Sequence, residues 1–323
     1  MTHDALSDLV RAGCKSALSA EANLARVRMA ARRLGCEPAG LYADPAAVVA
    51  WVEGGRLPDG RADRRWAMKS EASQKNVYSS LLKVASCVGG VLLDVPDEAR
   101  RLFSERMTAL AAGFEKRRLE NIMTKREAVA MLPWTALREA YASRRGELAS
   151  ASDRLLLDLY LMCPDENPPK RLDYGALQLV PEGGEAPETG NCLFSCLPDG
   201  CTLLLRDYKT AASYGAFEQR LPDALAAEVL AFVRAAGPDR RYLFEAEGGG
   251  PVSDNTLGRR LSTAVRRLSG VPMGASNLRK AYVSHLLNTR DISQARLHET
   301  ARLMMHSPVV QQDYRRVIGG DGS

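Results

Sequence analysis

The chain has 323 residues, of which 46% are hydrophobic and 26% charged, and its formal net charge is +5. This length and composition are typical of a soluble globular protein with room for two domains and a substantial core. No run of about 18 apolar residues occurs, so no transmembrane helix is expected. Met1-Thr2-His3-Asp4 lacks the basic start of a secretory signal peptide, so an intracellular location is expected.

The first part of the chain has helical periodicity throughout. Apolar residues recur at three- and four-residue spacing, and glycine or proline ends each segment. The predicted helices are Asp4 to Leu34, Ala46 to Val52, Ala67 to Cys87 (with Tyr78, Leu81, Leu82 and Val84 buried) and Asp97 to Ile122. We therefore expect a helical domain over residues 1–123, followed by a charged junction near Leu132-Pro133-Trp134.

The second part, residues 124–323, changes period in its middle. Two helices, about Thr135 to Arg145 and Ala151 to Met162, precede short runs of strand character. The predicted strands are Ala176 to Val180, Asn191 to Leu197, Cys201 to Tyr208 and Phe217 to Leu221, with Pro198-Asp199-Gly200 as a hairpin turn. Helices are then predicted over Pro222 to Ala235, Asn255 to Leu268, Ser276 to Leu287, Ile292 to Met305 and about Val309 to Val317. The expected class is mainly α with a small antiparallel β-sheet.

Seven cysteines are scattered, which suits free thiols in a reducing compartment. Cys192, Cys196 and Cys201 lie close together, but no fourth ligand lies nearby, so small apolar hairpin residues are favoured over a zinc site. Neither a metal nor a cofactor is expected.

Positive charge is concentrated at the two ends of the chain. Residues 254–323 contain eleven Lys/Arg against five Asp/Glu, and residues 1–123 contain nineteen against fifteen. Two separated basic segments suit a clamp around a polyanion such as double-stranded DNA. Solvated helix faces explain the same charges, and on charge alone they are the favoured interpretation.

Residues suited to cutting a phosphodiester with a tyrosine occur in order along the second part. A tyrosine can act as a nucleophile that stays covalently attached, and arginine forks bind the phosphate oxygens. A lysine can protonate the leaving oxygen, and a histidine can donate a hydrogen bond to phosphate. The chain offers Arg171 with Asp173 after Pro168-Pro169-Lys170, then Lys209, Arg279, His306 and Tyr314.

These residues resemble the tyrosine recombinases, the superfamily of phage integrases, over roughly Leu132 to Val317. The Leu278-Arg279 and His306-Ser307 pairs carry the resemblance, and Asp207-Tyr208-Lys209-Thr210 is most similar to the Crypton-like and large-DNA-virus branches. The resemblance implies a helical N-terminal DNA-clamp domain, an α+β catalytic domain and a homo-tetramer on DNA. The implied catalytic residues are Arg171, Lys209, Arg279, His306 and the nucleophile Tyr314, with Asp173 in support.

One position departs from the family pattern. Ser276 stands where the family usually has a histidine, either as a supporting phosphate contact or only as the N-cap of the Arg279 helix. Lys280 and Arg206 are candidate contacts to DNA, and Lys280 could equally face solvent.

The expected function is site-specific DNA recombination or integration through a 3′-phosphotyrosine intermediate. Two alternatives stay open: a type IB topoisomerase-like or telomere-resolving enzyme with the same chemistry, and a catalytically inactive DNA-binding relative.

Overall fold

The computed structural model describes residues 3–14, 16–67, 69–88, 94–181, 183–196, 200–289 and 292–316. Contacts divide the chain into two compact units, residues 1–120 and 121–323. The predicted turn residues Pro198 and Asp199, the glycines Gly89 and Gly90 that follow the helix predicted to end at Cys87, and the chain after Arg316 lie outside the described residues.

The first unit is helical in its described residues. Its helices are α1 (His3–Gly13), α2 (Ala17–Leu34), α3 (Gly40–Ala43), α4 (Pro45–Gly54), α5 (Arg64–Ala67), α6 (Glu71–Val88) and α7 (Asp97–Leu119). The single helix predicted over residues 4–34 is in fact two, because the Ser16 side chain accepts a hydrogen bond from the Ser19 amide and caps a new helix. Gly35 ends α2 with a φ of 70°, a conformation that favours glycine.

A buried cluster holds this first unit together. Trp51 stacks on Trp66, with ring centroids 4.4 Å apart, and Tyr78 and Phe103 pack beside them without exposure to solvent. The Trp51 indole donates to the Asp63 carboxylate at 3.2 Å, so the buried N–H has a partner.

The second unit is mainly helical with one small sheet. Its helices are α8 (Lys125–Val129), α9 (Trp134–Arg144), α10 (Ala151–Leu161), α11 (Ala211–Tyr214), α12 (Asp223–Ala236), α13 (Asp254–Ser269), α14 (Ala275–Asn288), α15 (Gln294–Leu303) and α16 (Pro308–Gln312). Its strands are β1 (Gln178–Val180), β2 (Cys192–Cys196), β3 (Gly200–Leu205) and β4 (Phe217–Arg220). Residues 155–161 of α10 are all buried, and α10 packs against α12 and α13 at the centre of the unit.

The mainly helical class with a small sheet is confirmed, but the sheet is mixed rather than antiparallel. Its order is β1-β2-β3-β4, and β1 runs parallel to β2 with Leu179 opposite Leu193. The link between β1 and β2 carries the chain back to the end where β1 began, so the two strands run in the same direction. The β2–β3 and β3–β4 pairs are antiparallel, as predicted. No helix in the described part of the chain combines the length and the apolarity needed to cross a bilayer.

Candidate active site

Arg279 lies at the centre of a buried polar cluster in the second unit. It follows one turn after the start of α14, and its side chain is only 1% exposed. One terminal amino group donates to the carbonyl oxygens of Pro169 (3.0 Å) and Met304 (3.2 Å). The other donates to Met304 (3.2 Å) and contacts Nδ1 of His306 (2.9 Å). The guanidinium thereby joins α14 to the turn that follows α15.

The turn after α15 has an unusual backbone. Met305 has a φ of 54°, in the left-handed region that costs a non-glycine residue about 1–2 kcal/mol. The next amide, that of His306, donates back to the Ala301 carbonyl at 3.1 Å, which closes the end of the helix. This conformation points the Met305 carbonyl toward Arg171 (3.5 Å) and the Thr210 hydroxyl (3.0 Å). The turn also places the imidazole of His306 against Arg279.

His306 is held as a neutral imidazole. An arginine can only donate, so Nδ1 must accept from Arg279 and the proton must reside on Nε2. Burial, followed by the charges of Arg279 and Arg171, lowers the pKa of His306 to about 3. The Nε2–H group is buried beside the Gln311 side chain, where it remains a hydrogen-bond donor.

The Tyr314 phenol completes the cluster from a turn after α16. Ser307 caps α16 by accepting from the Val310 amide at 3.2 Å, and the helix ends at Gln312. The helix predicted to continue to about residue 317 is therefore shorter, and Tyr314 does not lie on it. The centroid of the Tyr314 ring lies 5.2 Å from the centroid of the His306 ring and 5.2 Å from the guanidinium carbon of Arg279. Burial alone would raise the pKa of Tyr314, but the nearby Arg279 and Arg171 outweigh it and the pKa is lowered.

Arg171 belongs both to this cluster and to an open cleft of about 620 Å³. Asp173, Lys209 and Ser276 also line the cleft. Burial raises the pKa of the Asp173 carboxyl, against the opposing charge of Arg171. Lys209 is exposed and lies in the connection between β3 and β4, so its ammonium is free to move toward a ligand in the cleft. The structure thus brings Arg171, Arg279, His306 and Tyr314 together. Lys209 is not part of this cluster, but it lines the same cleft as Arg171.

Ser276 is not the N-cap of α14. The helix begins at Ala275 and its N-cap is Gly274, which has no side chain to accept a capping hydrogen bond, so Ser276 is the second helical residue and is exposed to the cleft. The N-cap interpretation of Ser276 is wrong, because the chain enters the helical conformation two residues earlier.

The two candidate DNA contacts lie elsewhere. Lys280 forms an ion pair with Glu127, and Arg206 donates to the Pro187 carbonyl at 2.6 Å. Neither residue lines the cleft, so any role in binding DNA stays a prediction.

Sequence reasoning passed over several residues that shape the site. The sequence marks Lys170 only as the residue before Arg171, whereas its side chain is fully buried in the structure. Gln311 and Thr210 contribute polar groups next to His306 and Met305; no motif marks Gln311, and Thr210 was noted only as the last residue of Asp207-Tyr208-Lys209-Thr210. The only sequence feature that points to the Lys170 segment as part of the site is the Pro168-Pro169 pair, which stiffens the backbone before Lys170. Within the part of the chain that the structure describes, no group of three His, Cys, Asp or Glu side chains is arranged to hold a metal ion.

Comparisons with known proteins give little guidance. No protein-family model matches the chain, and no curated protein sequence matches it. A solved structure titled "Crystal structure of XerA recombinase" aligns with 99% of this chain and 96% of its own, at 12% identity and a TM-score of 0.36. So low a score carries no argument about family or activity, so the functional case depends on the site itself.

Proposed function

We propose that this chain cleaves and rejoins DNA through a covalent bond to Tyr314, as a tyrosine recombinase does. One observation carries the proposal: a phenol whose pKa is lowered faces two arginines and a neutral histidine donor. Cations that favour a phenolate also stabilise the negative charge that grows on a phosphate under attack. A tyrosine that serves only in packing has no need of this environment.

The proposed step needs no metal or nucleotide. The Tyr314 oxygen, its proton lost to water, attacks the phosphorus, and a tyrosine O–P bond forms while the bond to the 5′ oxygen breaks. Arg171 and Arg279 stabilise the non-bridging oxygens, and Nε2–H of His306 donates to one of them. The Lys209 ammonium protonates the departing 5′ oxygen. One phosphodiester is exchanged for another, so attack by a 5′-hydroxyl reverses the step.

The residues of the cleft support this reaction in different ways. The charge of partly buried Asp173 attracts Arg171, which is the basis on which we propose that it orients that arginine, and Ser276 offers a hydroxyl at the position where the family usually has a histidine. We propose that the helical unit of residues 1–120 contributes to DNA binding and that recombination is carried out by a DNA-induced homo-tetramer. Lys280 and Arg206 remain candidates for contacts to the DNA backbone.

The test is capture of the covalent adduct. We would incubate the full chain with randomly nicked duplexes of randomised sequence, because loss of the short fragment after cleavage prevents rejoining. A denaturation-resistant protein–DNA adduct should form, and peptide mass spectrometry should locate the nucleotide on Tyr314. Tyr314→Phe should abolish the adduct, whereas the matched control Tyr214→Phe, at a half-exposed ring, should retain it.

The outcomes separate the alternatives. DNA binding with no adduct above the Tyr314→Phe background would refute the catalytic proposal and favour an inactive DNA-binding relative. An adduct together with relaxation of supercoiled plasmid by the monomer would favour the topoisomerase alternative over recombination.

A further inference from the structure

Three consecutive carbonyl oxygens at the end of α15 each accept a hydrogen bond from a different cationic side chain. Met304 accepts from Arg279 and Met305 from Arg171, both residues of the proposed reaction. Leu303 accepts from the Lys170 ammonium at 3.2 Å. The last carbonyls of a helix lack intrahelical partners and carry partial negative charge, so cations are favoured there. Lys170 has no part in the proposed reaction, although its ammonium donates to a carbonyl of the same turn.

The environment of Lys170 is unusual for a lysine. Its side chain is fully buried, and its ammonium also donates to the Asn167 side-chain oxygen at 2.9 Å and lies 5.4 Å from the centre of the Phe217 ring. Neither hydrogen-bond partner is a carboxylate. The charged groups that face it are Arg279 from α14, Arg302 from α15 and Asp173 from its own segment. Burial and then Arg279 lower the pKa of Lys170 to about 7.

Burying the Lys170 ammonium costs folding free energy. An apolar side chain of similar volume would fill the same space without the penalty for removing an ammonium from water. The ammonium does something that a methyl group cannot, because it joins the Asn167 segment to the first carbonyl of a strained turn. That turn contains Met305 with its positive φ and carries His306.

We propose that Lys170 is a positioning residue: its ammonium anchors the turn at residues 303–306 so that His306 and the Met304 carbonyl are aligned on Arg279. The link runs from Lys170 through the Leu303 carbonyl to the next carbonyl, which binds Arg279, and to the His306 ring, which contacts Arg279 and Tyr314. The consequence for catalysis rests on the function proposed above, whereas the consequence for His306 does not.

Spectroscopy of His306 tests the alignment without DNA. The chain has only four histidines, so ¹⁵N-histidine spectra are simple, and His306→Gln identifies the signal. In the wild type, His306 should stay neutral with its proton on Nε2 throughout the range from pH 5 to pH 8, as a pKa of about 3 requires. In Lys170→Met, which keeps the volume and removes the ammonium, the ring should leave Arg279, so the pKa of His306 should rise by about 2 units or more, into the observed range, and its proton should no longer reside on Nε2 alone.

Two further variants make the result decisive. Lys116→Met removes an exposed lysine and should leave the His306 signal unchanged. Lys170→Gln keeps a donor for the Leu303 carbonyl and should restore part of the wild-type signal. Lys170→Leu, which also lacks a donor, replaces Lys170→Met if that variant fails to fold. A folded Lys170→Met or Lys170→Leu whose His306 signal matches the wild type would overturn the proposal.

Adduct formation tests the catalytic consequence. At saturating DNA, Lys170→Met should slow adduct formation by about 10- to 100-fold, as expected for a small misplacement of reacting groups, with little change in DNA affinity. Equal rates for the two proteins would contradict the positioning role. If the wild type itself forms no adduct, the proposed function fails, while a His306 shift in Lys170→Met would still support the anchoring role.

Discussion

The protonation state of His306 links the candidate site to the stability of the second unit. The folded chain binds a proton at His306 only near pH 3, whereas a histidine in the unfolded chain does so near pH 6.5. Between these values the unfolded state binds more protons, so this residue adds stability above pH 6.5 that is lost as the pH falls toward 3.

His306→Asn should therefore weaken the acid dependence of stability. From pH 6.5 to pH 4, the free energy of unfolding of the variant should fall less steeply than that of the wild type, by up to about 1.4 kcal/mol per pH unit. Urea titrations at several pH values measure this slope. Parallel slopes for the two proteins would show that His306 titrates normally in the folded chain.

Lys170 predicts a pH dependence on the alkaline side. Its pKa is about 7 when folded and 10.5 when unfolded, so between these values the unfolded state binds more protons. Stability should consequently rise as the pH increases from 7 to 9, and Lys170→Met should remove that rise. Urea titrations measure the free energy of unfolding of both proteins at each pH. The difference between the two proteins isolates Lys170, because the buried thiols and phenols titrate in both. A rise that persists in Lys170→Met would have to come from another group.

The residue scale also shows what the sequence could and could not predict. The order of Arg171, Lys209, Arg279, His306 and Tyr314 was enough to identify a candidate cluster, and the structure brings three of these residues, Arg171, Arg279 and His306, around the phenol of Tyr314. The sequence could not tell which cation of the Lys170-Arg171 pair faces the core. That choice depends on the Leu303 carbonyl and Asn167, whose positions are set by tertiary packing.

At the scale of elements, periodicity located the four strands and the longer helices but not the short helices α3, α5, α8 and α11, and boundary errors arose where one local contact decides where a helix begins or ends. Ser16 caps a new helix within the segment predicted as one helix. At the other end of the chain, α16 ends at Gln312, and four residues later the Arg316 backbone amide donates to the Ser284 hydroxyl at 2.8 Å. The direction of β1 was not predictable either. Its apolar run reads the same whether it pairs parallel or antiparallel, and the path of the following link decides the pairing.

The short helix α16 should depend on its cap. Ser307→Ala removes the acceptor for the Val310 amide and should destabilise this helix by about 1 kcal/mol. Faster hydrogen exchange at the amides of Val310 and Gln311 would report the loss, and adduct formation should slow because α16 leads to Tyr314. Ser213→Ala, at an exposed serine of α11, is the matched control. Unchanged exchange in Ser307→Ala would mean that tertiary packing alone holds the helix.

At the scale of the whole molecule, each unit has a hydrophobic core of its own, built around Trp51 and Tyr78 in the first and around α10 in the second. The sequence predicted a domain division after residue 123, and chain contacts divide after Glu120. The charged junction near Leu132-Pro133-Trp134 indicates that two domains exist, but turn and loop residues carry little periodicity from which an exact boundary could be taken.

Separate expression tests the division. Fragments 1–120 and 121–323 should each unfold cooperatively, because each retains a complete buried cluster. Calorimetry of the two fragments and of the full chain is the measurement. A fragment without a cooperative transition would show that its core is completed by the other half of the chain.

The hydrogen bonds of Arg279 have a consequence for how fast a ligand can be taken up. Both terminal amino groups already donate twice within the protein, and only the buried Nε–H has no hydrogen-bond partner, so an arriving phosphate must displace a carbonyl or the imidazole before both terminal amino groups can bind it. Uptake then proceeds as a rapid encounter followed by a slower internal exchange of partners. In stopped-flow mixing, the observed rate should therefore level off as the DNA concentration increases, at a ceiling set by the protein rather than by diffusion.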